Sequence, residues 1–363
     1  MQKLLYFSLF FFSINSIVSQ ELKITDFYKY NPKLEHKVDE IFNTLSDTAR
    51  VAQMIVTSAG ELGKPESVVY KLAKDNEIGG VVFLEGTAKN HTKMIDSLNA
   101  ISGLKNQLPL LFSIDAEPSL YNGRLQGTKW LMNTIAIKTE KQADSIAKII
   151  NKTLLKIGFH QNFAPVVDIS LKNEAIKDRS FGNDKKKVIE LSTQFIKTTQ
   201  NQGIIATAKH FPGHGLVQGD THKKSVYIDG NLQELEVYPP LINDGVLSIM
   251  IAHITIKNNE KYGTEGLPAS CSRKIVTGLL KEELGFKGLI ITDALNIMKA
   301  VTIIKNAPLL ASKAGNDLLL MPIDEGETIA SILDEMNKDS AYKTQVYESV
   351  KKIIRFKILL NLM

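Results

Sequence analysis

Pro109-Leu110-Leu111-Phe112-Ser113-Ile114 runs almost wholly apolar and stops on a carboxylate, Asp115. An alternating strand keeps every second side chain in water; a continuous run like this one suits a strand covered on both faces, the habit of parallel sheets flanked by helices. Seven more runs share it: Met54-Ile55-Val56-Thr57, Gly80-Val81-Val82-Phe83-Leu84, Phe163-Ala164-Pro165-Val166-Val167, Ile204-Ile205-Ala206-Thr207-Ala208, Leu247-Ser248-Ile249-Met250-Ile251, Gly288-Leu289-Ile290-Ile291 and Asp317-Leu318-Leu319-Leu320. Between them lie stretches of helical spacing; Ala143, Ile146, Ala147, Ile150, Leu154 and Ile157 recur at steps of three and four and share one face. Eight such strands alternating with helices predict an α/β fold, a single closed (β/α)8 TIM-type barrel. A doubly wound open sheet is the alternative, and it lacks the Gly-x-Gly-x-x-Gly expected after its first strand. Tyr342 to Leu360 predicts a last helix that packs on or caps the barrel.

The rest of the chain agrees with one globular unit. Its 363 residues carry 44 Lys+Arg against 39 Asp+Glu, a net charge of +5, with 44% hydrophobic and 23% charged residues. These values exclude disorder, collagen-like repeats and a disulfide scaffold. Cys271 is the only cysteine and no Cys/His spacing matches a zinc site. At the N-terminus Lys3 precedes the apolar run Leu4 to Phe12, followed by polar Asn15 and Ser16 and small Ser19. This is the pattern of a secretory signal peptide over residues 1–19, cut near Ser19–Gln20, with an uncleaved anchor as the alternative. Residues 20–363 then form the mature barrel, secreted across the inner membrane and periplasmic or extracellular. No later stretch is long and apolar enough to span a bilayer, and no cysteine at the cleavage site offers a lipid anchor. Lys185-Lys186-Lys187, between Asp184 and Glu190, reads as a solvated helix start, since no aromatic residues interleave with it as nucleic-acid binding would ask.

In a barrel of this type the chemistry gathers at the C-terminal ends of the strands. The third run delivers Asp115, the fourth Asp168, the fifth Lys209 and His210, the sixth His253 and the seventh Asp293. Packing alone does not call for five ionisable strand ends. The most distinctive stretch is Lys209-His210-Phe211-Pro212-Gly213-His214-Gly215, followed by Leu216 to His222. Its glycines permit unusual backbone angles and a mobile loop over a pocket. Asp220 and His222 fall on the same side of an extended piece, where a carboxylate orients an imidazole and raises its pKa, making a proton donor usable near neutral pH. Metal ligation by His210, His214 and His222 is the competing reading, and Phe211-Pro212-Gly213 denies the first two the one-face geometry of a helix. Lys209 as a Schiff-base lysine is another.

These residues resemble the signature of family 3 glycoside hydrolases, in their bacterial β-N-acetylglucosaminidase branch. Further blocks agree in the same order: Asn162 to Asp168, Arg179-Ser180-Phe181-Gly182, Pro268-Ala269-Ser270, Gly278 to Gly288 and Ile291-Thr292-Asp293-Ala294-Leu295. The resemblance implies that Asp293 is the nucleophile, that His222 polarised by Asp220 is the acid and base, and that Asp115, Arg124, Arg179, Lys209 and His210 hold the sugar's hydroxyls. It implies no metal and no cofactor. The absence of a second, sandwich domain after the barrel favours the acetylglucosaminidase branch, because the acid must then come from the barrel itself.

Three functions stay open at this point. The first is a secreted retaining β-N-acetylglucosaminidase acting on GlcNAc-containing muropeptides or chito-oligosaccharides. The second is a β-glycosidase of other specificity or a glycoside phosphorylase, since a His acid would not repel phosphate. The third is an inactive sugar-binding barrel. None involves nucleic acid or membrane insertion after signal cleavage, and with every candidate group in one barrel a monomer suffices.

Overall fold

The computed structural model describes residues 22–105, 107–170, 173–219 and 225–363. The signal peptide expected over residues 1–19, and with it Asp220 and His222, lies outside the described residues.

Eight parallel strands make the barrel: β1 (Ile55–Ala59), β2 (Gly80–Phe83), β3 (Leu111–Ile114), β4 (Gln161–Asn162), β5 (Ile205–Phe211), β6 (Ser248–Ile251), β7 (Leu289–Thr292) and β8 (Leu319–Leu320). Each pairs with the next in chain order, β8 pairs with β1, and a bridge between Ile291 and Leu318 closes the ring. Nearly every residue of these strands is buried, as continuous apolar runs require of a sheet wrapped by helices. The TIM-type barrel expected from the sequence is borne out.

The helices start where polar side chains can satisfy free backbone N–H groups. Thr139 and Gln142 form a reciprocal capping box at the head of Glu140–Ile157, whose buried stripe contains the six periodic residues named above. Asp184 caps Lys185–Asn201, so the three-lysine run is the first turn of a helix. The last helix, Ser340–Leu359, packs against Pro32–Thr44. Phe27 stacks on its Phe356 with ring centroids 4.0 Å apart, and the Tyr28 hydroxyl donates to the Val246 carbonyl at 2.5 Å. The first described residues thus join the last helix in closing the barrel's N-terminal end.

Two features depart from the sequence reading. The fourth strand pairs regularly only at Gln161–Asn162, ahead of the run Phe163 to Val167. Pro165 has no N–H to give a ladder, and pairing resumes as a lone bridge between Val166 and Lys209. A two-stranded parallel ribbon, Tyr227–Asp229 with Thr255–Lys257, lies outside the barrel and was not among the eight runs. Its first strand is largely exposed, so no apolar run marks it.

Candidate active site

The strands place ionisable groups at one end of the barrel. Asp115 follows β3, Asp293 follows β7, and Lys209 and His210 sit within the last turns of β5. Arg124 ends the short helix Pro118–Arg124, and Arg179 comes from the loop beyond β4. Asp115, Arg124, Arg179, Lys209, His210 and Asp293 line one cavity of about 320 Å³, walled on its other side by Leu62, Met250, Ile297 and Met298. The structure therefore gathers six of the eight candidate residues; Asp220 and His222 are outside the described residues.

A charge network holds this wall. The Lys209 ammonium donates to Asp115 at 2.5 Å and lies 3.1 Å from Glu117. Arg179 grips Glu117 with two donors, Nε at 3.0 Å and Nη2 at 2.8 Å, the bidentate fork that suits guanidinium to carboxylate. Burial alone would raise Asp115, but Lys209 and then Arg124 outweigh it and hold the carboxyl at about 2. Glu117 is fully buried and lowered in the same way, here by Arg179 and Lys209 against the burial. Arg124 is looser: its nearest carboxylate oxygens are 3.7 Å away on Asp115 and 3.9 Å away on Glu85, and its Nε meets no acceptor among the described residues.

Histidines and carboxylates form a second network beside the first. Asp168, fully buried, accepts from His210 Nδ1 at 2.7 Å and from the His214 backbone N–H at 2.8 Å. A carboxylate on Nδ1 fixes that nitrogen as the donor, and His210 lines the cavity. His253 donates from Nε2 to the Ala294 carbonyl at 3.1 Å, so in the neutral ring its Nδ1 accepts from the Ser270 hydroxyl at 2.7 Å. Burial lowers its pKa and keeps it neutral. Asp293 accepts the Ala294 backbone N–H at 2.8 Å. Burial works against its charge, but His210 and that N–H hold it below the usual carboxylate range. Among the described residues, no cluster of His, Cys, Asp and Glu is arranged to hold a metal ion.

Three groups of this network were not among the candidates. Glu117 stands two residues after Asp115, and its spacing was the available signal; its partners Arg179 and Lys209 lie far away in sequence, so nothing around it gives them away. Asp168 was read as a strand end without a role, and it orients His210. Glu234 comes from the segment before the short helix Leu235–Val237, far in sequence from any strand end. Its carboxylate accepts backbone N–H groups from Ile169, Gly215 and Leu216, and burial together with the charge on Asp168 pushes it up to about 8.

A parallel barrel with cations, carboxylates and oriented imidazoles gathered at its C-terminal end is the frame of a barrel enzyme that binds a polar, hydroxyl-rich substrate. The chain belongs to glycosyl hydrolase family 3: the profile of the Glycosyl hydrolase family 3 N terminal domain matches residues 46–356. The resemblance drawn from the motifs is thereby borne out. The chain is 30% identical over 319 residues to Beta-hexosaminidase A of Pseudoalteromonas piscicida, covering 77% of this chain and 53% of that protein. It is 30% identical over 330 residues to an uncharacterized secreted glycosyl hydrolase of Arthroderma benhamiae, covering 84% of this chain and 91% of that one. Among solved structures, a glycoside hydrolase family 3 β-N-acetylglucosaminidase from Paenibacillus sp. str. FPU-7 superposes with a TM-score of 0.79 at 27% identity, over 88% of this chain and 63% of the other. The chain thus spans about half the length of the first of these relatives.

Proposed function

We propose that the protein is a retaining β-N-acetylglucosaminidase (β-N-acetylhexosaminidase) that removes terminal, non-reducing β-linked N-acetylglucosamine from peptidoglycan-derived or chitin-like glycans. One observation carries the reading. Of the two carboxylates that line the cavity, Asp115 is tied to Lys209, whereas among the described residues no cation lies within ion-pair distance of Asp293; behind them Glu117 is tied to Arg179 and Asp168 to His210. Asp293 is the carboxylate kept ionised and unneutralised for a substrate, as a glycosidic nucleophile must be. Family membership and the relatives named as hexosaminidases support the sugar class.

In this mechanism the Asp293 carboxylate attacks the anomeric carbon as the glycosidic C–O bond breaks. The leaving oxygen takes a proton from His222, which Asp220 polarises. Water then gives a proton back to His222, its oxygen bonds to the anomeric carbon, and Asp293 is released. Most retaining enzymes place two carboxylates about 5 Å apart, and a His–Asp pair replaces one of them here. Asp115, Arg124, Arg179, Lys209 and His210 hold the sugar's hydroxyls, the carboxylate and guanidinium groups each able to engage two. No step calls for a metal or cofactor. Residues 1–19 serve as a cleaved leader, residues 20–363 as a single catalytic barrel working as a monomer beyond the inner membrane; the relative described as secreted supports that placement.

The test is nitrophenol release from the β-N-acetylglucosaminide and the β-glucoside, with and without inorganic phosphate. Preference for the acetamido sugar, with free sugar as product in both buffers, is expected. Turnover of the glucoside alone would refute the sugar assignment, a sugar phosphate would make the enzyme a phosphorylase, and no turnover on either would refute catalysis.

A further inference from the structure

Gly213 and Gly215, read from sequence as sources of loop mobility, serve a different purpose in the fold. A Cβ on Gly213, whose φ is +130°, would lie 2.4 Å from the Glu234 Cβ and 2.8 Å from its carboxylate. A Cβ on Gly215 would lie 2.4 Å from the Ile169 carbonyl oxygen. The backbone is pressed onto a side chain and onto a neighbouring strand exit, and only glycine allows that approach. At the centre is Glu234, 4% exposed. Its Oε1 accepts from Ile169 N–H at 2.7 Å and Gly215 N–H at 3.1 Å, and its Oε2 from Leu216 N–H at 3.0 Å. Ile169 follows Asp168, so this one carboxylate joins the segment that orients His210 to the turn that leaves β5.

We propose that Glu234 is a positioning residue for the reaction: it anchors Gly213–Leu216, and so sets the point from which the following stretch carries Asp220 and His222. The inference rests on the reading of His222 as the acid. Three N–H groups from two segments converging on one buried carboxyl group make a stiff joint, because all three lose their partner together if that group is removed. An anchor of this kind matters most to the step that depends on where the proton donor stands, and least to attack by Asp293, which β7 holds independently.

The experiment compares Glu234→Ala and Gly213→Ala with wild type and with His222→Ala on two β-N-acetylglucosaminides. One has a 2,4-dinitrophenyl leaving group, which departs unprotonated; the other has an alkyl leaving group, which does not. Glu234→Ala removes both acceptor oxygens, and Gly213→Ala disturbs the same contact from the loop side. For both, kcat/KM on the alkyl substrate is expected to fall ~100-fold, the cost of about 1 Å of misplacement. Their kcat/KM on the dinitrophenyl substrate, which reads attack by Asp293 and not the later step that uses His222 as base, and inhibition by free N-acetylglucosamine stay within about threefold, since protonation and sugar binding are separable. If His222→Ala shows the leaving-group split and the Glu234 and Gly213 variants lose both substrates equally, or neither, the proposal falls and the His222 reading stands. If His222→Ala shows no split, the acid assignment falls and takes the proposal with it.

Discussion

Replacing Glu117 with Gln should strip the barrel of its central counter-ion. The amide keeps the shape and one acceptor oxygen but no charge, and it leaves Arg179 and Lys209, held 2.8 Å and 3.1 Å from the carboxylate in the native protein, with Asp115 as the one remaining anion between them. At an effective dielectric of about 20, each of those contacts is worth about 5 kcal/mol of gross attraction. Most of that repays desolvation, and stranding one partner of a buried pair costs about 3–5 kcal/mol net. For 363 residues, at about 2.1 cal/mol/K of unfolding entropy per residue, the loss corresponds to a Tm lower by about 4–7 °C. Calorimetry reads it directly, together with inhibition by N-acetylglucosamine, which should weaken as Lys209 and Arg179 shift. Neutralising both ends, in Glu117→Gln with Arg179→Met, should recover part of the Tm and none of the sugar affinity. A Tm change under about 1 °C for the single variant would refute the assignment of Glu117 as the group that holds the two cations.

Other outcomes follow from the same groups. Asp115, Glu117, Asp168 and Asp293 all sit below their ordinary pKa in the folded chain, so their contribution is full above the unfolded values near 4 and is lost as pH falls toward 2; calorimetry across pH 2–5 should show that loss as a steep fall in Tm. Glu234 runs the other way: raised to about 8, it holds its proton while the unfolded chain has released its own, so stability declines from about pH 4.5 to 8, and Glu234→Gln should flatten that limb. Lys357, buried and donating to Gln53 Oε1 and the Gly79 carbonyl, is pulled down to about 7 by burial. Stability should therefore rise between pH 7 and about 10, and Lys357→Met should abolish that rise in a urea titration. Asp293→Asn should lower kcat below about one part in a thousand with N-acetylglucosamine binding retained, measured by steady-state turnover and calorimetric titration.

Much of the barrel was open to reading because parallel strands covered on both faces announce themselves as unbroken apolar runs, and their ends as the first ionisable residue. That logic found Asp115, Lys209, His210 and Asp293. It misplaced β4, whose regular pairing falls on Gln161 and Asn162; these are polar yet buried, because Gln161 Nε2 donates to the hydroxyls of Thr207 and Ser248 inside the barrel. A pattern of polarity cannot register a polar side chain whose partners come from strands 46 and 87 residues away. It missed Glu117 and Glu234 for a related reason. Each earns its burial through partners on other elements, Arg179 and Lys209 for one, backbone N–H groups of Ile169, Gly215 and Leu216 for the other, and backbone donors leave no mark on sequence at all.

The glycines of the Lys209 to Gly215 stretch show what that omission costs in interpretation. Taken alone, Gly213 and Gly215 speak of conformational freedom, and freedom suggests a loop that opens and shuts. Set beside Glu234 they mean the reverse, because the space a side chain would occupy is already filled by a carboxylate and a carbonyl. The site thus has two rigid parts with different sources. The wall of cations and carboxylates is rigid through charge: Asp115, Glu117, Lys209 and Arg179 compensate one another, and fixed dipoles and ions need no rearrangement as charge develops on a bound substrate. The exit from β5 is rigid through backbone hydrogen bonds to one side chain. Asp293 stands between them, supported by its own strand and the Ala294 N–H, and so keeps the one carboxylate charge that neither network consumes.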